Sequence, residues 1–359
     1  MKYNQIYGKF SQGTGFWLKD NLFNAGIKEI YSKKIINSYQ KQVSFDMKRM
    51  GLKKKDLKNF DVMDVGTGRQ AIALYQLGAK KVIHYDISIN NIKNMKNHIK
   101  RYNLPIASFH ADICDNNFQK NNKFDFIYLQ GIIQHVRNPI LAIRNLAAAS
   151  KHNGLIWFYH YQAGPLVHLY VEVIRRLVPK NINYQNLIKV LKKHGFTLKN
   201  IDVIIDDLGC TYRNLIGNNN YKLVMEKYGF TRYYKKDVVE QKMGLDLKTK
   251  RTACISAYKK SFSNNGYVPT NSKSLPHLDH FKPKNFILEQ RGFIKKVNEA
   301  FKKITQKNNK KLLEQDYFIE AFVPFLKNYI NYDISKPFLQ NQKDLLNCFR
   351  QVDEYISLK

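Results

Sequence analysis

Between residues 61 and 161 short apolar runs alternate with amphipathic stretches, and glycines and carboxylates punctuate the joints. DVMDV reads as a strand, and QAIALYQLG as a helix closed by Gly78. KVIHYD is a strand ending at Asp86, followed by the helix INNIKNMKNHIKRYN. ASFHAD is a strand ending at Asp112, and KFDFIYLQ one ending near Gln130. NPILAIRNLAAASKHNG is a helix with Asn138 as N-cap, Pro139 in its first turn and Gly154 beyond its end; LIWFYHY is a fifth strand. Strands alternating with helices of about 10 to 15 residues predict βαβ units on a doubly wound, mostly parallel α/β sheet. The strands are apolar nearly throughout, as strands covered on both faces should be.

The flanks carry the helical period instead. Residues 1–60 form an amphipathic N-terminal cap, with Gly51 ending its long helix. Residues 162–219 read as a helical insertion made of AGPLVHLYVEVIRRLVP, YQNLIKVLKKHGF and then IDVIIDDLG, which lies between strand and turn in character. NYKLVMEKYGF is a helix, and TRYYKKDVV and TACISAYKK are closing strands of a domain spanning 61–260. Residues 261–285, rich in Ser, Asn and Pro, read as a linker, and 286–359 as a helical extension whose apolar faces need a partner.

Composition changes this picture little. A hydrophobic share of 44% in 359 residues supplies a sizeable core. The net charge of +32 raises a nucleic-acid partner. Yet 48 of the 60 basic residues are Lys, spread along the chain without a dominant tract, whereas Arg is favoured for bidentate phosphate contacts. A solvated surface is the simpler reading. Four scattered cysteines without a C-x-x-C pair give no spacing for a metal site or a disulfide framework, so no metal is expected. With no apolar leader and no long apolar span, a cytoplasmic location is expected.

Candidate chemistry gathers at the strand ends. In an open parallel sheet, ligands bind outside the carboxyl ends of the strands. Asp64 with Gly66, then Asp86, Asp112, and Gln130 with Gly131 close four successive strands. Gly66 and Gly68 allow a sharp turn, and Asp86 lies 20 residues after Gly66, the spacing of a ribose-binding carboxylate. Both features suit NAD and S-adenosylmethionine equally. Asp64 breaks the tie: a pyrophosphate about 4 Å from it would cost up to about 4 kcal/mol at an effective dielectric near 20. A cofactor bearing an ammonium and a sulfonium has no such conflict.

VMDVGTGRQ, VIHYDIS, FHADICD, FDFIYLQGIIQHVRNP and NGLIWFYHY, in that order, resemble the class I S-adenosylmethionine-dependent methyltransferases. The resemblance implies seven strands, the last antiparallel, in a Rossmann-like methyltransferase fold. It implies that Asp64, Gly66, Thr67 and Gly68 hold the methionine end, and that Asp86 binds the ribose with Ile87 packed on the adenine. It further implies that Asp112 receives the adenine amino group with Ile113 beside it, and that Gln130 and Gly131 lie along the methionyl arm. Arg69 and Gln70 depart from the family, which often has Thr-Gly or Gly there. Either the turn is partly blocked, or Arg69 pairs with a cofactor carboxylate or an acidic substrate.

The expected function is methyl transfer to a small-molecule acceptor, a sugar, a lipid or quinone precursor, or a secondary metabolite, as O- or N-methylation. Alternatives are an RNA methyltransferase using the Lys-rich surface and a non-catalytic protein on the same fold; an NAD enzyme is more distant. Candidate bases are His135 and His160, with Tyr159, Tyr161 and His168 nearby in sequence. Asp206, Asp207 and Arg213 are polar residues set between apolar segments and are candidates to face the pocket. The terminal helices are candidate recognition or homo-oligomer elements.

Overall fold

The computed structural model describes residues 16–19, 22, 25–118, 123–161, 182–214, 218–238, 253–260, 317–330 and 338–357, with a few single positions between them. The seven strands are β1 (Asp61–Val65), β2 (Lys81–Asp86), β3 (Ile106–His110), β4 (Phe124–Gln130), β5 (Ser150–Tyr161), β6 (Phe230–Val238) and β7 (Ala253–Lys260). They form one sheet in the order β3-β2-β1-β4-β5-β7-β6. The pairs among β1 to β5 are parallel, and β7 runs antiparallel to both β5 and β6. The chain order reverses at β1 and β4, so the crevice at the switch point opens between their carboxyl ends.

The described helices are α1 (Phe16–Lys19), α2 (Lys33–Arg49), α3 (Lys54–Leu57), α4 (Arg69–Gln76), α5 (Ile89–Tyr102), α6 (Pro139–Ala149), α7 (Tyr184–Lys193), α8 (Leu198–Gly209), α9 (Asn218–Lys227), α10 (Tyr317–Ile330) and α11 (Phe338–Ser357). Their ends follow local chemistry. Ser88 caps α5 by accepting from the Asn91 N–H, and Asn138 caps α6 by accepting from the Leu141 N–H. Asn103 closes α5 in the left-handed region, at φ 47.

Three apolar clusters organise the packing. On one face of the sheet Val62, Val82, Phe126, Tyr128 and Trp157 meet α2, α4 and Met95 of α5. On the other face Met63, Ile83, Ile127, Leu129 and Phe158 meet α6 and α9. The third cluster joins Phe16, Leu22 and Ile30 to α7, α8, α10 and α11. The N-terminal segment, the insertion and the C-terminal extension therefore cover one another's apolar faces in a single core. Each fully buried aliphatic or aromatic side chain there stabilises by about 1.5–3 kcal/mol.

Three sequence readings change. IDVIIDDLG belongs to a helix, α8: Thr197 caps it, and Ile201, Ile204, Ile205 and Leu208 lie on one buried face at helical spacing. The cap lies four residues before Ile201, outside the apolar stretch. The strand expected to end at Asp112 ends at His110, leaving Asp112 in the following turn. The residues SKHNG begin β5 rather than finishing α6, because the register between β4 and β5 shifts there and Asn153 takes φ 61. AGPLVHLYVEVIRRLVP, apart from the buried helical residues Val171 and Arg175, lies outside the described residues, as do His168 and the linker 261–285.

Gly154 stands in that irregular start of β5. A Cβ added to it would meet the Lys151 and Phe124 carbonyl oxygens at 2.9 Å, and backbone cannot yield as a side-chain tip can. Gly154→Ala should therefore destabilise the chain by about 1–3 kcal/mol, read as a lower urea midpoint with an unchanged slope.

Candidate active site

The turn after β1 is built by backbone need. Gly66 has φ 133 and Gly68 φ 84, both in the region that disfavours side chains. A Cβ on Gly66 would meet Ile132 Cδ1 at 3.1 Å, and one on Gly68 would meet Met95 Sδ at 2.8 Å. The Gly66 N–H donates to the Tyr85 carbonyl, and the Thr67 carbonyl accepts from the Tyr31 hydroxyl at 2.8 Å. His84 makes a further tie. Its Nε2–H donates to the Gly66 carbonyl at 2.5 Å, and its Nδ1 accepts from the Ser108 hydroxyl at 2.9 Å. Burial holds the imidazole neutral, pushing it down to about 4. Neither Tyr31 nor His84 was a sequence candidate; the polar position within the apolar run KVIHYD was the available signal.

Asp64 lies beneath this turn, 1% exposed. Burial pushes its carboxyl up to about 8, opposed by hydrogen bonds from the Ala71 and Val65 backbone and raised further by Asp86. Its Oδ2 is fully buried and has no hydrogen-bond partner. An acid oxygen left without a partner in a glycine turn is suited to a cationic ligand, whose charge favours the ionised form that burial alone disfavours.

Asp86 at the end of β2 accepts from the Ser88 N–H at 2.6 Å and from the Asn91 side-chain amide at 2.9 Å. Burial raises it to about 7 against those two bonds. Each oxygen keeps a second lone pair for a ligand hydroxyl. Ile87 next to it is 44% exposed, open to an aromatic ring.

Asp112 accepts from the Cys114 N–H at 2.7 Å and from Arg137 Nε at 2.8 Å. Arg137 also bridges to Asp115, whose side chain is far more exposed than that of Asp112. Asp112 is therefore the inner carboxylate of the pair. It borders a cavity of about 330 Å³ lined with Tyr85, Phe109, Ala111, Asp115 and Phe118. Ile113, next to it in the chain, is buried in the core cluster that includes α6.

At the end of β4, Gln130 receives the Tyr128 hydroxyl at 3.3 Å; the same hydroxyl donates to Asp46 Oδ2 of α2 at 2.8 Å. Gly131 has φ 70, and its N–H donates to the Tyr159 carbonyl. Gln134 follows in the same turn. Its side-chain amide is fully buried with neither nitrogen nor oxygen hydrogen-bonded, and Nε2 lies 3.5 Å from the point a Gly131 Cβ would occupy. Nothing in the apolar context of GIIQHV marked it out.

The two candidate bases separate. His135 Nδ1–H donates to the Tyr212 carbonyl at 3.0 Å, and its ring stands edge-to-face with Tyr161. His160 is fully buried, with its ring packed on Tyr221 of α9. The neighbouring strand residue alternates to the opposite face: the Tyr161 ring packs at the edge of the helical core.

Arg69 bridges the glycine turn and α8. Its Nη1 donates to Asp202 of α8 at 2.8 Å, its Nε to Thr67 Oγ1 at 2.9 Å, and its guanidinium lies 4.9 Å from the Tyr39 ring centre. It is a strut from the turn to the insertion. Asp206, one helical turn after Asp202, accepts from Trp17 Nε1 at 3.1 Å, while Asp207 binds Arg213 at 3.2 Å in the interior. Asp202 and Asp206 thus anchor α8 to the start of α4 and to the N-terminal segment.

A family model described as a methyltransferase domain matches residues 63–158. Over 161 residues the chain is 30% identical to a ubiquinone biosynthesis O-methyltransferase of Bartonella bacilliformis, covering 43% of this chain and 64% of the relative. It is 27% identical over 164 residues to the protein of that name in Bartonella tribocorum, covering 44% and 66%. The chain thus spans a little under two thirds of the length of these curated relatives. A solved structure from Pyrococcus horikoshii superposes with a TM-score of 0.42 at 15% identity, over 68% of this chain and 95% of that one. No described helix is long and apolar enough to cross a membrane.

Asp64 sets a pH signature. Between the ordinary value of 3.8 and about 8, the folded chain keeps a proton on Asp64 that the unfolded chain releases. Stability from this group is therefore full below the lower value and is lost as pH rises through the upper one. In urea melts from about pH 5 to about pH 8, Asp64→Asn should lose less stability than the parent. Parallel pH profiles for the two would remove the assigned proton.

Proposed function

We propose, on the premise that residues 61–161 are the cofactor-binding part of a class I S-adenosylmethionine-dependent methyltransferase domain, that this chain transfers a methyl group to a small-molecule acceptor. The observation that carries the reading is Asp64, a buried carboxylate with an orphaned oxygen under the Gly66–Gly68 turn. S-adenosylmethionine, when bound, supplies an electrophilic methyl on a positively charged sulfur. Asp64 and the turn residues Gly66, Thr67 and Gly68 are placed to hold its methionine end. Asp86 is the ribose acceptor with Ile87 as the flat apolar contact, and Asp112 stands at the adenine end. Gln130 and Gly131 line the arm between them. The close approaches of Ile132 to Gly66 and of Met95 to Gly68 leave no room for a Cβ, which keeps the turn as bare backbone.

The protein's remaining task is alignment and exclusion of water. Gln134, Tyr159 and Tyr161 stand at the ends of β4 and β5, where an acceptor has to approach. Tyr159 and Tyr161 present two rings edge to face, 6.1 Å apart. This wall suits a flat acceptor, and the names of the curated relatives support a hydroxyl as the methylated group. His135, at the same turn, is the residue placed to take a hydroxyl proton. The insertion helix α8, tied by Asp202 to Arg69, closes the turn against solvent.

Calorimetric titration tests this reading. S-adenosylmethionine should bind, NAD should not, and Asp86→Ala should weaken the former at least about tenfold, or ~1.4 kcal/mol. Unchanged affinity in Asp86→Ala would overturn the ribose assignment, and tighter binding of NAD would overturn the cofactor.

A further inference from the structure

We propose that His135, Asp206 and Cys210 form a site for one divalent transition-metal ion of the zinc type, tying α8 to the turn after β4. Three different ligand chemistries meet there from two separate elements. Cys210 Sγ lies 3.3 Å from Asp206 Oδ1, and His135 Nε2 lies 3.6 Å from Asp206 Oδ2. All three ligand atoms lie within 4.8 Å of one another. An ion with bonds of about 2.0–2.3 Å in tetrahedral geometry sets its ligands about 3.3–3.8 Å apart, so the cluster needs little movement to close on it.

The histidine is already oriented for the task. Its Nδ1–H is spent on the Tyr212 carbonyl, so Nε2 is the ring nitrogen that faces Asp206 and is left to bind an ion. That nitrogen is buried and has no hydrogen-bond partner. A ring N–H given to a backbone carbonyl is the usual outer support of a metal-bound imidazole. Asp206 is held in turn by the Trp17 indole N–H at 3.1 Å. Asp206 and Cys210 are four residues apart, on the same side of the end of α8. A thiolate and an imidazole favour zinc or cobalt over magnesium or calcium. One carboxylate and one thiolate balance a divalent charge, and the neighbouring acids Asp202 and Asp207 already face Arg69 and Arg213. The Asp206 side chain is 35% exposed, which leaves an entry path. Three protein ligands leave a fourth position for water. While an ion sits there, it occupies the Nε2 lone pair and His135 accepts no proton.

The site stands on these residues alone and does not depend on the methyl-transfer reading. Full-length protein, stripped with a chelator, is titrated with Zn2+ and, separately, with Co2+. One Zn2+ per chain should bind, and Co2+ should give a thiolate-to-metal absorption band. Cys210→Ser should weaken Zn2+ binding at least about tenfold and abolish the band, while Cys348→Ser, on α11 and not among the clustered ligand atoms, should change neither. No stoichiometric Zn2+ uptake, a Co2+ spectrum of the parent without the thiolate band, or a folded Cys210→Ser that binds as tightly as the parent would each overturn the proposal. Should Cys210→Ser fail to fold, Asp206→Asn takes its place with the same expected loss.

Discussion

A buried carboxylate under a glycine turn constrains the rest of this molecule. Asp64 enters the interior because β1 is an inner strand, flanked by β2 and β4, of a sheet covered on both faces, and its end is closed by α4. The N-terminal turn of α4 offers it the Ala71 backbone N–H, which compensates only part of the lost hydration. Everything around the turn then holds its shape: His84 from β2, Tyr31 from the segment before α2, and Met95 against Gly68. A turn so braced keeps its hydrogen-bonding groups aimed at a ligand without rearrangement, which is what a binding site requires of its scaffold.

The second constraint is the placement of α8. Its acids Asp202 and Asp206 lie on one side, one turn apart, and meet Arg69 and His135 from the two halves of the strand-end crevice. Its opposite side, Ile201, Ile204, Ile205 and Leu208, joins the helical core with α7, α10 and α11. The helix therefore links the seven-stranded sheet to the helical additions. Arg69, which departs from the family at the glycine turn, has a structural explanation in this link: a guanidinium held by Asp202, by Thr67 and by the Tyr39 ring.

The polar groups behind the sheet extend the same logic. Asp46 of α2 takes the Tyr128 hydroxyl, and that hydroxyl also reaches Gln130 at the mouth. Burial pushes the Asp46 carboxyl up to about 6, against the bond from Tyr128 and the charge of Arg49. The N-terminal segment is thus joined to the strand ends by polar as well as apolar contacts, and the orientation of Gln130 depends on a residue far away in sequence.

The apolar period of residues 61–161 was enough to place β1, β2, β4 and the helices between them, because a strand buried on both faces carries its own signature. The strand-end acids were legible for the same reason: only a chain turn at the sheet edge interrupts such runs with Asp and Gly. Ends set by non-local contacts were not legible. β3 stops at His110 and β5 starts at Ser150 because of pairing with neighbouring strands, and no local pattern reports that register. The side chains that support the site from elsewhere were hidden for a further reason. His84, Tyr31, Gln134 and Asp46 sit in ordinary helical or strand contexts and acquire partners, or an unmet hydrogen bond, only when distant elements close on them. Cysteine spacing likewise pointed away from a metal, since His135 and Cys210 are far apart along the chain. Sequence periodicity determined the layers of this protein and the edge at which its ligand groups collect, because burial acts on each element's own pattern. The tertiary structure alone decided which polar groups meet there, because their pairing depends on how the helical additions close over the sheet.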